Sequence, residues 1–356
     1  MNSYGYYQNG PSPDMTMALR AESAARRSFS TVALAAAVYC FASSIVANGL
    51  YLILYLVGFF NIPFIAENEA SVSLLISCVS MYILVLPLFY LIVRRVPTFP
   101  IERSRMSILE LLAIFLVSRF CLLAGSMVSN WITSGLSLLL GRDLVNSTEE
   151  MILDTPVWLL TLVVVIIGPI VEELIFRKWM IDRLGAYGDV SAILFTSVLF
   201  GLAHGNFFQF AYSFLLGLVL GYMYTRTGNI LYPMALHMLT NLLGSVAMLP
   251  LMDIQEDVLA QLEAVGDDIM QLLEGPNAGQ FMVNFGIMAI YSFLTYVLAI
   301  TGAIIFFVYM RRLKLKPRLL EIVGSSAMTR SAIINLGVLL FFLLSVGEFA
   351  LSLLPV

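Results

Sequence analysis

The chain alternates long apolar stretches with short polar ones. The apolar runs cover Thr31–Phe60, Ser73–Val93, Ser107–Leu140, a stretch from Val157 into the polar residues 172–177, Val190–His204, Phe208–Tyr224, Ile230–Leu249, Val283–Met310 and Ala332–Leu354. A bilayer core about 30 Å thick needs about 20 apolar residues in helical form. Lipid offers the backbone no hydrogen-bond partners, so a spanning segment must satisfy its own peptide groups. The pattern therefore predicts an all-α fold, a polytopic transmembrane helical bundle of about nine spans. The fifth and sixth runs are short, which puts the turn Gly205-Asn206 between them below the membrane surface. Such a turn is tolerated only inside protein or against a wet cavity. The chain divides into a mobile cytoplasmic tail (1–29), N-terminal transmembrane helices (30–150), a core of four helices (151–250), an acidic amphipathic outer loop (251–281) and C-terminal transmembrane helices (282–356).

Composition agrees. Of 356 residues, 60% are hydrophobic and 12% charged, whereas a soluble domain carries about 25% charged residues. The net charge of -4 matters less than where the charges sit. Lys and Arg cluster before the first run, after the second (Arg94, Arg95, Arg103, Arg105), after the fourth (Arg177, Lys178, Arg183), after the sixth (Arg226) and after the eighth (Arg311, Arg312, Lys314, Lys316, Arg318, Arg330). Nine alternating spans put all of these on one side, and the opposite loops are acidic apart from Arg142. The positive-inside rule then expects a cytoplasmic N-terminus and an outside C-terminus in a bacterial plasma membrane. The expected partners are the bilayer and a membrane-associated peptide or protein, with no nucleic acid. Cys40, Cys78 and Cys121 lie within apolar runs without metal or disulfide spacing and are expected to act as small buried hydrophobes.

Three polar signatures interrupt the apolar core: Glu172-Glu173-x-x-x-Arg177, Phe200-x-x-x-His204 and His237-x-x-x-Asn241. The chain has two histidines, and both are here. A charge at bilayer depth costs roughly 2.5–3.5 kcal/mol, so a shared polar site is the economical explanation. On a helix, residues four apart face one another and adjacent residues diverge by about 100°. Glu173 and Arg177 are thus expected to form a structural ion pair, leaving Glu172 as the free reactive carboxylate. Pro169 is expected to loosen the helix just before them. One Glu and two His would suit a catalytic Zn²⁺ held by Glu172, His204 and His237. The same groups also suit metal-free chemistry, with Glu172 and His204 activating water and His237 and Asn241 donating to an oxyanion.

These signatures, in this order on membrane helices, resemble those of the CAAX prenyl-endopeptidase and bacteriocin-processing (CPBP, or Abi) family of intramembrane proteases. The stretch Gly217 to Asn229 is similar to that family's link between its second and third marks, and the likeness covers roughly residues 150–250. The resemblance implies peptide-bond hydrolysis in or near the membrane, with Glu172, His204, His237 and Asn241 catalytic. Relatives either remove the last three residues of prenylated proteins or serve peptide maturation and self-immunity. A non-catalytic immunity or scaffold protein keeping the same polar site is the competing expectation.

Other polar positions stay unassigned. Glu110, Arg119 and Glu348 are ionisable groups within apolar runs, Gly217-x-x-x-Gly221 suits close helix packing, and Trp131, Trp158 and Trp179 suit membrane interfaces. One conflict arises from depth. His204 falls ~21 Å along the fifth run from its basic-side start, at 1.5 Å per residue, while Glu172 at the end of the fourth run should lie close to that side.

Overall fold

The computed structural model describes residues 13–266, 269–310, 315 and 325–354. Arg311, Arg312, Lys314, Lys316 and Arg318, which enter the charge argument, lie outside the described residues, as do 1–12 of the expected tail. The chain is all-helical among the described residues. Its main helices are α1 (Pro13–Leu56), α2 (Glu69–Val93), α3 (Ile108–Leu140), α4 (Val157–Tyr187), α5 (Asp189–Leu202), α6 (Phe207–Thr227), α7 (Leu231–Val265), α8 (Ala278–Met310), α9 (Ser326–Ile333) and α10 (Leu336–Leu351). Seven are long and apolar enough to cross a membrane, and α9 with α10, bent by 53°, makes an eighth. The remaining run of the expected nine is α5, whose 14 residues reach only about 21 Å.

Boundaries follow local chemistry. Ser107 and Glu110 close a reciprocal capping box at the start of α3, with Ser107 N–H donating to Glu110 Oε2 at 2.8 Å. Glu110 also stands 3.7 Å from Arg226, so this carboxylate serves a helix end at the surface. Asn206 caps α6 by accepting from Gln209 N–H, and Gly228, at φ 61°, ends it against the 101–102 backbone.

The expected mobile tail is corrected by the packing of α1. Residues 13–29 are rich in Ala, Met and Leu, strong helix formers that carry the helix well ahead of the first apolar run. Ala25 and Phe29 are fully buried, Phe29 meets Phe195 edge to face at 4.8 Å, and Ser28 Oγ bonds Tyr187 Oη at 2.9 Å. The acidic 251–281 segment contains the expected amphipathic helix, but it is the continuation of α7. Its Val258 packs on Phe281, and Asn284 Nδ2 donates to Asp257 Oδ2 at 2.7 Å. Asp267 and Asp268 lie outside the described residues.

Several basic segments meet at one end of the bundle. Ser28 of α1 reaches Tyr187 of α4, Arg183 Nε donates to Val93 O at the end of α2, and Ser104 N–H donates to Thr227 O at the end of α6. Arg177 and Arg183 are nevertheless buried within this end, so neither counts as a loop charge. Arg142, the exception on the acidic side, donates from Nη2 to Leu353 O and so neutralises the carboxyl end of the last helix.

α4 also resolves the depth conflict. It runs on past Glu172 to Tyr187 and turns at Gly188 (φ 113°) into α5, which returns alongside it. Gly188 lies sixteen residues after Glu172 and sixteen before His204, so both reach the same depth, about 24 Å from the turn at 1.5 Å per residue.

Candidate functional site

The site is assembled on α4, α5, α6 and α7. On α4 the helix widens to five-residue hydrogen bonding over Thr161–Ile167, with Gly168 N–H donating to Val163 O. The same register would hand Val164 O to residue 169, which is a proline and has no N–H. Asn241 Nδ2 on α7 donates to Val164 O at 2.9 Å instead. The loosening expected at Pro169 is therefore a wide turn tied across to α7, a form common at functional sites. One of the two Asn241 amide hydrogens is spent there, leaving the other for the oxyanion role expected from sequence.

A second wide turn, Leu174–Trp179, follows the Glu pair. Arg177 Nη1 lies 3.1 Å from Glu173 Oε1, with both side chains almost wholly buried. The angle lies outside hydrogen-bond geometry, and Arg177 Nε and Glu173 Oε2 have no hydrogen-bond partner. The guanidinium also lies 4.4 Å above the Phe200 ring and donates to Gly217 O at 3.4 Å. A buried ion pair of this kind is held by several weak partners, a cation–π contact among them.

Glu173 has a further role that spacing along one helix did not reveal. Its Oε1 accepts from His237 Nδ1 at 2.9 Å, which leaves His237 Nε2 pointing at Glu172 Oε2, 3.7 Å away. Orientation of an imidazole by a carboxylate at one nitrogen sets what the other nitrogen can do.

His204 sits just beyond α5. Its Nδ1 lies 2.8 Å from Phe200 O, a carbonyl at the helix end, and since a carbonyl can only accept, the hydrogen is on Nδ1. Its Nε2 is 3.3 Å from Ser213 Oγ on α6. Small residues allow that approach: a Cβ on Gly217 would meet Ser197 at 3.0 Å, and one on Gly221 would meet Ile193 at 3.1 Å. Gly217-x-x-x-Gly221 is thus a packing face. The Phe200 ring stands between the imidazoles, 5.0 Å from His204 and 5.7 Å from His237.

The expected Zn²⁺ set does not assemble. Glu172 and His237 approach each other, but the His204 ring is turned to Phe200 and Ser213. No three His, Cys, Asp or Glu side chains among the described residues are grouped to hold an ion. The residues as placed do not fit a metal centre.

In front of Glu172 and His204 lies a cavity of about 290 Å³. Its walls include Tyr39, Cys40 and Ser44 of α1, Met81 of α2, Phe176, Phe200 and Gln209, and Glu348 of α10. Gln209 Nε2 bonds Thr148 Oγ1, so the helix Ser147–Asp154 overlies the Gly205-Asn206 turn. His237 and Asn241 stand behind Glu172 and do not line the cavity. Of the other positions, Cys40 is a cavity wall residue, and Cys121 is a buried hydrophobe as expected. Trp131 and Trp158 are exposed, whereas Trp179 stacks inward on Phe89 and Tyr90. Arg119 Nη1 is buried without a hydrogen-bond partner.

Comparison with known proteins adds independent information. Residues 154–243 match the family described as type II CAAX prenyl endopeptidase Rce1-like. The chain is 30% identical over 182 residues to a Bacillus subtilis protein named putative membrane peptidase YdiL, covering 49% of this chain and 72% of that one. It is 34% identical over 101 residues to CAAX prenyl protease 2 of Arabidopsis thaliana, covering 22% of this chain and 32% of that one. No solved structure matches.

Proposed function

Since the chain belongs to the type II CAAX prenyl endopeptidase Rce1-like family, and the relatives it matches are named a putative membrane peptidase and a CAAX prenyl protease, we propose that it hydrolyses a peptide bond at the cavity in front of Glu172. The observation that carries this reading is the placement of Glu172 and His204. They come from antiparallel helices to one depth, on one cavity wall, with Glu172 still 27% exposed.

In this mechanism Glu172 takes a proton from water as the water oxygen attacks the scissile carbonyl. The carbonyl oxygen becomes an oxyanion; His237, whose Nδ1–H is on Glu173, presents the Nε2 lone pair to Glu172 Oε2 from 3.7 Å and so favours the protonated carboxyl that forms in this step, while Asn241 ties α7 to the wide turn beside it. Glu172 then returns the proton to the leaving nitrogen, giving a carboxylate and an amine. His204 lines the same cavity; its Nδ1–H is held by the Phe200 carbonyl, so Nε2, 3.3 Å from Ser213 Oγ, is the nitrogen that can accept a proton. Glu173 and Arg177 hold His237 in one tautomer, and Phe200 separates the imidazoles. The N-terminus is read as cytoplasmic, since the basic end carries the exposed Arg20, Arg26, Arg27, Arg94 and Arg95.

The test uses purified protein in lipid nanodiscs with quenched-fluorescent peptides, a prenylated C-terminal tail among them. Glu172→Gln and His204→Ala should abolish cleavage in protein that still folds. Full turnover in Glu172→Gln would remove the hydrolase reading and favour the non-catalytic scaffold. Chelation should leave cleavage unchanged; a loss restored by Zn²⁺ alone would reinstate the metal-bound alternative.

A further inference from the structure

The cavity has a second wall that the family-matched residues 154–243 do not supply. It is made by the first and last helices, through Tyr39, Cys40, Phe41 and Ser44 of α1 and Glu348 of α10. α10 is firmly seated there. Gly337 N–H donates to Ser30 Oγ at 3.0 Å, and the Phe349 ring lies edge-on to Phe207 at 4.7 Å. A Cβ on Gly205 would stand 3.6 Å from Glu348 Cβ, so the last helix packs directly against the turn that presents His204.

Two polar groups on this wall lack partners among the described residues. The Tyr39 hydroxyl belongs to a side chain only 4% exposed, lines the cavity and makes no hydrogen bond. The Glu348 carboxylate, half-buried four residues before Ser352, has no ion pair or hydrogen bond either. A buried donor and a carboxylate at membrane depth both carry a desolvation cost that a ligand would relieve. The charges around the cavity point to the kind of ligand. Glu172 and Glu348 are the charged lining residues, and no Lys or Arg lines it, since Arg177 is held behind Glu173. The space in front of the water-activating groups is electronegative.

We propose that this wall selects a lysine or arginine side chain of the substrate beside the scissile bond, with Glu348 pairing the cation and Tyr39 donating to a backbone carbonyl of the same segment. The assignment rests on the hydrolase reading for its notion of a scissile bond. Glu348 is a specificity residue: a desolvated carboxylate discriminates a cation from a neutral isostere of equal length. Tyr39, a donor without an acceptor, discriminates a peptide backbone from a hydrocarbon chain.

Peptides differing only in Lys, norleucine or Glu at one position, scanned on both sides of the cleaved bond, test this. The wild-type protein should show a Lys-to-norleucine ratio in kcat/KM of about tenfold or more at one position, in keeping with a close charge pair. Glu348→Gln should bring that ratio to about one, and Glu348→Lys should invert it toward the Glu peptide. A purely structural Glu348 would change all three peptides alike. A wild-type ratio near one throughout, or a ratio that survives in Glu348→Gln, overturns the proposal. Binding of the Lys and norleucine peptides to Glu172→Gln protein, with and without Glu348→Gln, separates the two readings, because binding needs no turnover. Selective Lys binding without cleavage by the wild type would keep the wall and remove the hydrolase. Uniform cleavage with non-selective binding would do the reverse, and neither cleavage nor selective binding removes both.

Discussion

The inner and outer walls of the cavity are built in opposite ways. On the inner wall, α4 to α7, each polar side chain reaches a partner on another helix: Glu173 to His237, Arg177 to the Phe200 ring and Gly217 O, His204 to Ser213, Asn241 to Val164. On the outer wall, α1 and α10, the Tyr39 hydroxyl and the Glu348 carboxylate reach none among the described residues. Groups locked by their neighbours are preorganised for chemistry that must happen at one point in space. Groups left open are free to accept something that arrives. On the proposed reading, the difference separates a reaction centre, which tolerates little change, from a recognition surface that can vary without dismantling it.

Substitutions can break this contrast at several strengths. The largest effect is expected at Glu172. Glu172→Gln should lower turnover by about 10²–10⁴-fold, the usual share of general acid–base catalysis, with unfolding little changed. Next is the buried pair. Arg177→Met leaves Glu173 without its cation and should cost about 3–5 kcal/mol in denaturant unfolding, much of it recovered in Arg177→Met with Glu173→Gln. Asn241→Ala exposes the Val164 carbonyl to an apolar interior and should cost about 1–3 kcal/mol. With Pro169→Ala the backbone N–H at 169 can take over, so the stability cost of Asn241→Ala should shrink. Any loss of turnover that persists there measures what Asn241 contributes to the reaction beyond stability. The smallest change is expected on the outer wall. Tyr39→Phe should lower kcat/KM by about 2–10-fold, the worth of one hydrogen bond, with no loss of stability because an orphan hydroxyl is removed. A collapse of folding in Tyr39→Phe would erase the contrast.

What sequence revealed and what it hid have a common physical reason. Pairings at i, i+4 on one helix are set by backbone geometry, so Glu173 with Arg177 and Phe200 beside His204 were legible. Partners on different helices depend on rotation and depth, which apolar runs do not encode. Nothing in the spacing marked Ser213 as the neighbour of His204, Glu173 as the support of His237, or Glu348 as a cavity residue. Ser213 does lie on the Gly217, Gly221 stripe, and a small polar residue there was the available hint. The length of α4 was hidden because its last four turns hold Arg177, Lys178, Asp182 and Arg183, which read as a loop until the burial of Arg177, Asp182 and Arg183 and the pairing of Lys178 with Asp182 are seen. The same effect concealed the start of α1, whose basic residues alternate with Ala25 and Phe29 in the core.

The turn at Gly188 carries a consequence for what can be cut. Glu172 and His204 lie about 24 Å from it, and an extended peptide advances about 3.3–3.6 Å per residue. A tail entering from that end must thread roughly seven unwound residues before its target carbonyl draws level with the two side chains. If cleavage occurs at these two side chains, α4 and α5 together would act as a ruler: a helical segment, with its carbonyls already occupied, or a stub shorter than that span would stop short of the blade.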